Sequence, residues 1–332
     1  MKNQKGTLVI SLDFELYWGV RDKRTIEQYK DNLLGVRSVI PKLLNMFKEY
    51  QIHATWAVVG FLFFKTKEEL LKGLPQKKPN YEKTKLNPYT YLNNIGDDEH
   101  TDPFHYAPSL IEQILSFPNQ EIGSHTFSHY YCLEKGQNIE TFKEDLYAVI
   151  KAAKRFNLEI ESLVFPRNQT NAEYLSVCRD MGIRCYRGNE TSWLYSARNE
   201  EDESLFRRGI RLMDAYVNIS GHNTYTINNY AGNLPLNIHS SRFLRPYSQR
   251  LKMLEPFRLH RILSDLTYAA KKMEVYHLWW HPHNFGVNTD KNIEFLRNIL
   301  NHYTKLHKIY GMESLNMGEL TNRVLSETEY GS

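Results

Sequence analysis

The feature that most limits the fold is a repeated pairing. A short apolar run is followed by an amphipathic helical stretch, and then by another short apolar run. Residues 7–12 read as a buried strand. Residues 25–50 carry Leu33, Leu34, Val36, Val39, Ile40, Leu43, Leu44 and Phe47 at helical spacing, with Pro41 as a point where the helix kinks or restarts. Further strands are predicted at 53–60, 120–124, 160–165, 183–187 and 275–280, and a short one near 312–315. Helices are predicted at 66–73, 107–117, 139–156, 170–181, 256–273, 290–308 and 317–328. Alternation of this kind builds a parallel sheet covered by its crossover helices. It leaves open whether the sheet stays open or closes into a barrel. No fixed-period repeat is visible, and the whole chain, 1–332, reads as one domain.

Two pairs of residues carry chemistry. Asp13 and Glu15 end the first apolar run, and residues two apart in a strand face the same way, so both carboxylates can share one pocket. Acids are rarely buried unless paired or bound to a cation. His125 and His129 stand four apart directly after Ile122-Gly123-Ser124. If a helical turn follows that strand, both imidazoles project to one side, which is half of a common zinc-type site. Arg167 and His281 also follow apolar strand-like runs.

Two stretches break the alternation, 74–106 and 188–255. Long loops without structure of their own are usually functional. The first reads as an insertion over the mouth of the site, with Asp97, Asp98, His100 and His105 as solvated loop residues. The second is irregular, with short strands near 205–211 and 234–239.

Composition removes several classes. The 42 basic residues are mixed with 38 acidic ones, which is no nucleic-acid footprint. The odd cysteine count (Cys132, Cys178 and Cys185, with no C-x-x-C) argues against a disulfide framework and for a reducing compartment. The first residues lack the apolar core of a signal peptide, and no run is long enough to span a membrane, so a cytoplasmic location is expected. Aromatic residues are abundant, and their faces suit sugar rings as well as core packing.

Five segments in one order make a resemblance: S-L-D-F-E at 11–15, A-T-W-A-V-V-G at 54–60, E-I-G-S-H-T-F-S-H at 121–129, V-F-P-R-N at 164–168 and L-W-W-H-P at 278–282. Together they resemble the polysaccharide deacetylase family, the NodB-homology or carbohydrate esterase family 4 domain, over roughly 7–186 and 256–325. The resemblance implies a distorted (β/α) barrel of about seven parallel strands, carrying the two insertions. It implies a hydrolase that removes acetyl groups from a carbohydrate with a divalent metal, zinc in the first place.

Carried over residue by residue, the family pattern makes Asp13 the general base and Glu15, His125 and His129 the metal ligands. Arg167 becomes the residue that orients the base, and His281 the general acid, with His283 as the second candidate. Trp18, Trp280 and His283 are assigned to the substrate. One departure stands out. The family has two adjacent aspartates where this chain has Asp13-Phe14, so the next acid, Glu15, is given the ligand role. Alternatives are a metal held by Asp13 itself, a metal-free site, a glycan-binding protein on a degenerate deacetylase fold, and a cyclic-amide hydrolase.

Overall fold

The computed structural model describes residues 5–196, 205–226 and 234–329, so 197–204 and 227–233 of the second expected insertion, and the chain ends, lie outside the described residues. In chain order the elements are β1 (Thr7–Phe14), α1 (Ile26–Tyr50), β2 (Ala54–Val58), α2 (Lys67–Lys72), α3 (Pro108–Leu115), β3 (Gln120–Ser124), α4 (Ile139–Ala153), β4 (Ser162–Val164) and α5 (Tyr174–Asp180). There follow β5 (Cys185–Gly188), α6 (Leu205–Asp214), β6 (Leu236–His239), β7 (Arg242–Phe243), α7 (Glu255–Lys272), β8 (Val275–Trp280), α8 (Thr289–Tyr310), β9 (Glu313–Leu315) and α9 (Met317–Glu329).

All strand pairs are parallel, in the order β6-β5-β4-β3-β2-β1-β8-β7, with β9 beside the start of β1. β6 and β7 are two halves of one stretch. The first half pairs with β5 and the second with β8. Between them Ser240 donates its backbone N–H to Gly188 and Ser241 donates to His277, both at 2.8 Å. This stretch joins the two open edges of the sheet. The ring therefore closes with seven staves, and the short β9 is an addition outside it.

Inside and outside follow from the period of two. Leu8, Ile10, Leu12 and Phe14 of β1 pack outward with Val36, Ile40, Leu43 and Phe47 of α1 in the main core. Val9 belongs to a separate inner cluster with Ala57, Val164, Cys185, Ile238 and Val275, which Met317 and Leu320 of α9 join. α9 plugs the end of the barrel where the strands begin: Met317 N–H donates to Thr55 and Gly318 N–H to Glu121. The opposite end, where the strands finish, holds the polar side chains.

α1 begins at a capping box between Thr25 and Gln28 and runs unbroken through Pro41, whose lost hydrogen bond is outweighed by the buried stripe around it. Further expectations are corrected. Residues 205–211 are part of a helix, not a strand. Its buried face carries Arg207 and Asp214, seven apart, so a search for apolar periodicity misses it. Arg207 donates to the carbonyls of Trp193 and Leu194 and ties α6 to that turn.

The stretch 74–106 does not cover the site. It braces the segment after β1 from behind. Trp18 Nε1 donates to the His105 carbonyl at 2.9 Å, and Arg21 donates to the carbonyls of Lys85 and Leu86. His105, expected in solvent, is buried against Trp18 and held by Asp102 at 2.7 Å.

Candidate active site

A cavity of about 590 Å³ opens at the strand C-termini, lined by Asp13, Glu15, His129, Arg167, Trp279 and His281 among others. Among the described residues, none of its lining comes from 74–106. Ligands and catalytic groups of α/β barrels gather at this end because the loops that follow the strands converge there.

Asp13 is placed by β1 and points inward. Arg187, at the end of β5, grips it with two parallel bonds of 2.7 Å, Nη1 to Oδ1 and Nη2 to Oδ2. The same guanidinium donates to Ser11 Oγ at 3.0 Å and Asn168 Oδ1 at 2.9 Å, and its flat face lies 4.1 Å from the Trp279 ring centre. Burial alone would raise the pKa of Asp13. Arg187, with His125 and His281, outweighs it and holds the carboxyl below its ordinary value. Two carboxylate lone pairs remain for the cavity.

Phe14 is buried in the outer core, so it leaves no gap on the site side. Glu15 turns inward beyond the strand, and Leu16 takes a left-handed φ of 46° to allow the turn. The Glu15 carboxylate meets His129 Nε2 at 3.0 Å and His125 Nε2 at 3.2 Å. Burial opposes its charge, but His281, His125 and His129 prevail and keep its pKa well below the ordinary value.

The two histidines do not sit on a helical turn. Residues 125–132 form an irregular loop in which Thr126 (φ 61°) and His129 (φ 59°) are left-handed. Asp145 of α4 holds this loop by accepting from Phe127 N–H at 2.7 Å, Ser128 N–H at 3.2 Å and Ser128 Oγ at 2.5 Å. Left-handed non-glycine residues cost about 1–3 kcal/mol each and gather at functional sites. Leu16, Thr126, His129, Arg167 and Asn168 all border this one.

Glu15, His125 and His129 bring ligand atoms within 4.8 Å of one another, the one such cluster among the described residues. Their chemistry fits a cation. His125 Nδ1 donates to the Val164 carbonyl at 2.9 Å, which leaves Nε2 as a buried lone pair facing the Glu15 carboxylate without a hydrogen bond. Two acceptors in a dry wall repel each other unless a cation or proton lies between them.

His281, following β8, has Nε2 at 3.7 Å from Asp13 Oδ2 and 3.6 Å from Glu15 Oε1. Tyr29 donates to Asn284 Oδ1, and the Asn284 amide then donates to His281 Nδ1 at 3.2 Å. That order puts the proton of neutral His281 on Nε2, toward both carboxylates. His283 stacks on His281 and is buried. Burial, with the His281 charge beside it, pushes its pKa down to about 3. It stays neutral and is poorly placed to deliver a proton as the acid.

Three sequence assignments need correction. Arg167 does not reach Asp13. It lines the cavity but pairs with Asp22, lies 3.8 Å from Glu134 and stacks on Tyr131, and Arg187 takes the expected position beside Asp13. Trp18 is 1% exposed and packs edge-on to Phe61, so it has no face for a sugar. Trp280 is fully buried against Phe285 and Phe47 in the outer layer, and its neighbour Trp279 is the tryptophan in the cavity wall. Arg187 was legible in principle, being a charge at the C-terminal end of an apolar strand.

A closed parallel barrel with a carboxylate and two histidines at its C-terminal rim defines an α/β barrel with a metal-type site. The sequence profile of the polysaccharide deacetylases matches residues 21–186, half of the chain, and the chain belongs to that family. The match includes His125 and His129 and stops one residue short of Arg187.

Among solved structures, a protein from Mycobacterium smegmatis assigned to the polysaccharide deacetylases is 11% identical. It covers 99% of this chain and 93% of its own, with a TM-score of 0.58. A 4-alpha-glucanotransferase from Thermococcus litoralis, also 11% identical, covers 97% of this chain and 40% of its own, with a TM-score of 0.53. At such identity these show the shared fold. No curated protein matches.

Proposed function

We propose that the protein is a metal-dependent hydrolase that removes an acetyl group, in the first place an N-acetyl group, from a sugar during polysaccharide or glycan-precursor biosynthesis. The observation that carries this reading is the convergence on one cavity of the Glu15/His125/His129 cluster, the Asp13–Arg187 pair and His281. A divalent cation held by the cluster, zinc being the usual choice for two imidazoles and a carboxylate, would polarise the acetyl carbonyl and acidify a water.

The chain's own groups do the rest. Asp13, kept ionised and fixed by Arg187, accepts the proton of the attacking water. His281 acts as the imidazolium: it gives the leaving nitrogen the proton on Nε2, the nitrogen that faces both carboxylates, and is left as the neutral ring. Trp279 and Phe243 supply an apolar wall for the acetyl methyl. All three cysteines are free and buried, which supports a reducing compartment and so an intracellular glycan precursor. No helix among the described residues is long and apolar enough to cross a membrane.

The test is acetate release from a panel of nucleotide-activated, lipid-linked and free acetylated sugars, with and without chelator. The metal-loaded protein should release acetate. Asp13→Asn should lower turnover by about two to four orders of magnitude, the usual worth of a general base, while substrate binding survives. If the wild type releases no acetate from any of them, yet binds glycan as well as Asp13→Asn does, the fold serves as a binding module instead.

A further inference from the structure

Beside the main cavity lies a second one of about 260 Å³, and the two share Arg167, Asn168, Phe243 and Trp279 as a common wall. Its outer side is built by the segment after β5, by α6 and by the stretch after β7. Among the described residues, four arginines line it, Arg167, Arg211, Arg242 and Arg245, against the single acid Glu190. Glu190 is buried, and burial raises its pKa, so it opposes an incoming anion less than an exposed carboxylate would.

Three of these arginines are engaged elsewhere, Arg211 among them. Arg167 pairs with Asp22, and Arg242 pairs with Asp265 and Asp214. Arg245 differs. It is half-buried, yet its guanidinium makes no hydrogen bond or ion pair with any described residue. Burial presses its pKa down; Tyr195 and Tyr216 favour its charge, and the like charges of Arg211 and Arg258 add to the lowering. A half-buried cation with no counter-ion among the described residues is costly to hold, and a guanidinium is best satisfied by the two oxygens of a carboxylate or phosphate. The rim of the main cavity adds Arg24 and Arg208.

We propose that the side cavity receives an anionic substituent of the sugar, a phosphate or a carboxylate, with Arg245 as its principal contact. The substrate is then an anionic acetylated sugar and not a neutral glycan. Its place in the side cavity sets the acetyl group against Trp279, between the anion and the Glu15/His125/His129 cluster. Calling the ligand a substrate rests on the hydrolase reading above, whereas the anion site rests on the side cavity alone.

Titration calorimetry of the full zinc-loaded chain with glucosamine 1-phosphate, muramic acid and glucosamine tests it, since none of the three carries an acetyl group to lose. One anionic sugar should bind about tenfold to a hundredfold tighter than glucosamine, the worth of charge-assisted hydrogen bonds. Preference for the first assigns phosphate, and preference for the second assigns carboxylate. Arg245→Gln should abolish the advantage and leave glucosamine unchanged, and Arg245→Lys should keep part of it. The wild-type comparison and Arg245→Lys decide the matter if Arg245→Gln does not fold.

No advantage for either anionic sugar, or an advantage untouched by Arg245→Gln, overturns the proposal. Arg245-dependent binding with no acetate release from the acetylated counterparts keeps the anion site and removes the hydrolase. Acetate release from neutral sugars alone does the reverse.

Discussion

Gly19 shows how closely the site is fitted at the scale of single residues. A Cβ built there would stand 1.9 Å from Glu15 Cδ and within 2.3 Å of both carboxylate oxygens. Glycine is the residue that leaves room for the Glu15 side chain to lie inward against His125 and His129. Gly19→Ala should therefore push the carboxylate out of the cluster. Metal affinity should fall about tenfold to a hundredfold, the effect of disturbing a ligand's support, while the metal-free protein keeps its melting temperature. Gly209→Ala, whose new Cβ meets nothing within 4 Å, is the matching control and should leave metal affinity as it was. A titration in which both variants bind metal like the wild type would refute the role given to Gly19. The residue types at the site were mostly legible, because Asp13, Glu15, His125, His129 and His281 all end apolar runs. The partner of Asp13 differs from the expectation, being Arg187 and not Arg167. Arg167 follows a strand and Arg187 lies at the end of one, and the turn at Arg167, with its φ of 56°, sends that side chain to Asp22 instead.

Among the elements, the loop 125–132 depends on a helix it does not belong to. Asp145 is buried on α4 and takes three hydrogen bonds from Phe127 and Ser128, and burial outweighs them to push its pKa up to about 6. Asp145→Ala leaves two buried backbone N–H groups without that acceptor, at about 1–3 kcal/mol each. Stability should drop by about 2–6 kcal/mol in urea titrations, with weaker metal binding because His129 loses its fixed loop. Asp145→Asn keeps one acceptor oxygen and should lose less on both counts. Equal metal affinity in all three proteins would show that the histidine loop holds itself. Sequence could not reveal this dependence. The H-x-x-x-H spacing suggests a helical turn, and only tertiary bonds from Asp145 and the backbone of Gly60 and Phe61 make the irregular path affordable. Helices and strands with apolar faces were read at nearly their observed bounds. α6 was not, since its buried face is polar.

For the whole molecule, the alternation of strand and helix disclosed a parallel layout, but closure of the ring was beyond it. Closure depends on Leu236–Phe243 pairing with β5 and then β8, and this closing stave lies inside the expected second insertion. The closed interior is apolar where α9 plugs it and polar above, with Ser11, Asp13, Arg187 and His277 side by side. That polar layer makes the fold sensitive to acid. His277 is fully buried, with Nε2 2.8 Å from Ser11 Oγ, and burial, helped by the nearby Arg187 charge, pushes its pKa from 6.5 down to about 3. In the unfolded chain it takes up a proton near pH 6.5, and in the folded chain only near 3. Between those values the unfolded state holds the extra proton, so stability rises with pH and is lost as acid is added, by about 1.4 kcal/mol per pH unit from this group. His277→Gln can still bond Ser11 but does not titrate. Urea midpoints measured from pH 7 to pH 4.5 should therefore fall more steeply for the wild type than for His277→Gln, with the gap opening below about pH 6. The carboxylates titrate alike in both proteins and cancel in the difference. Parallel curves would mean that His277 accepts its proton inside the barrel, and that Asp13 and not burial governs the charge of the polar layer.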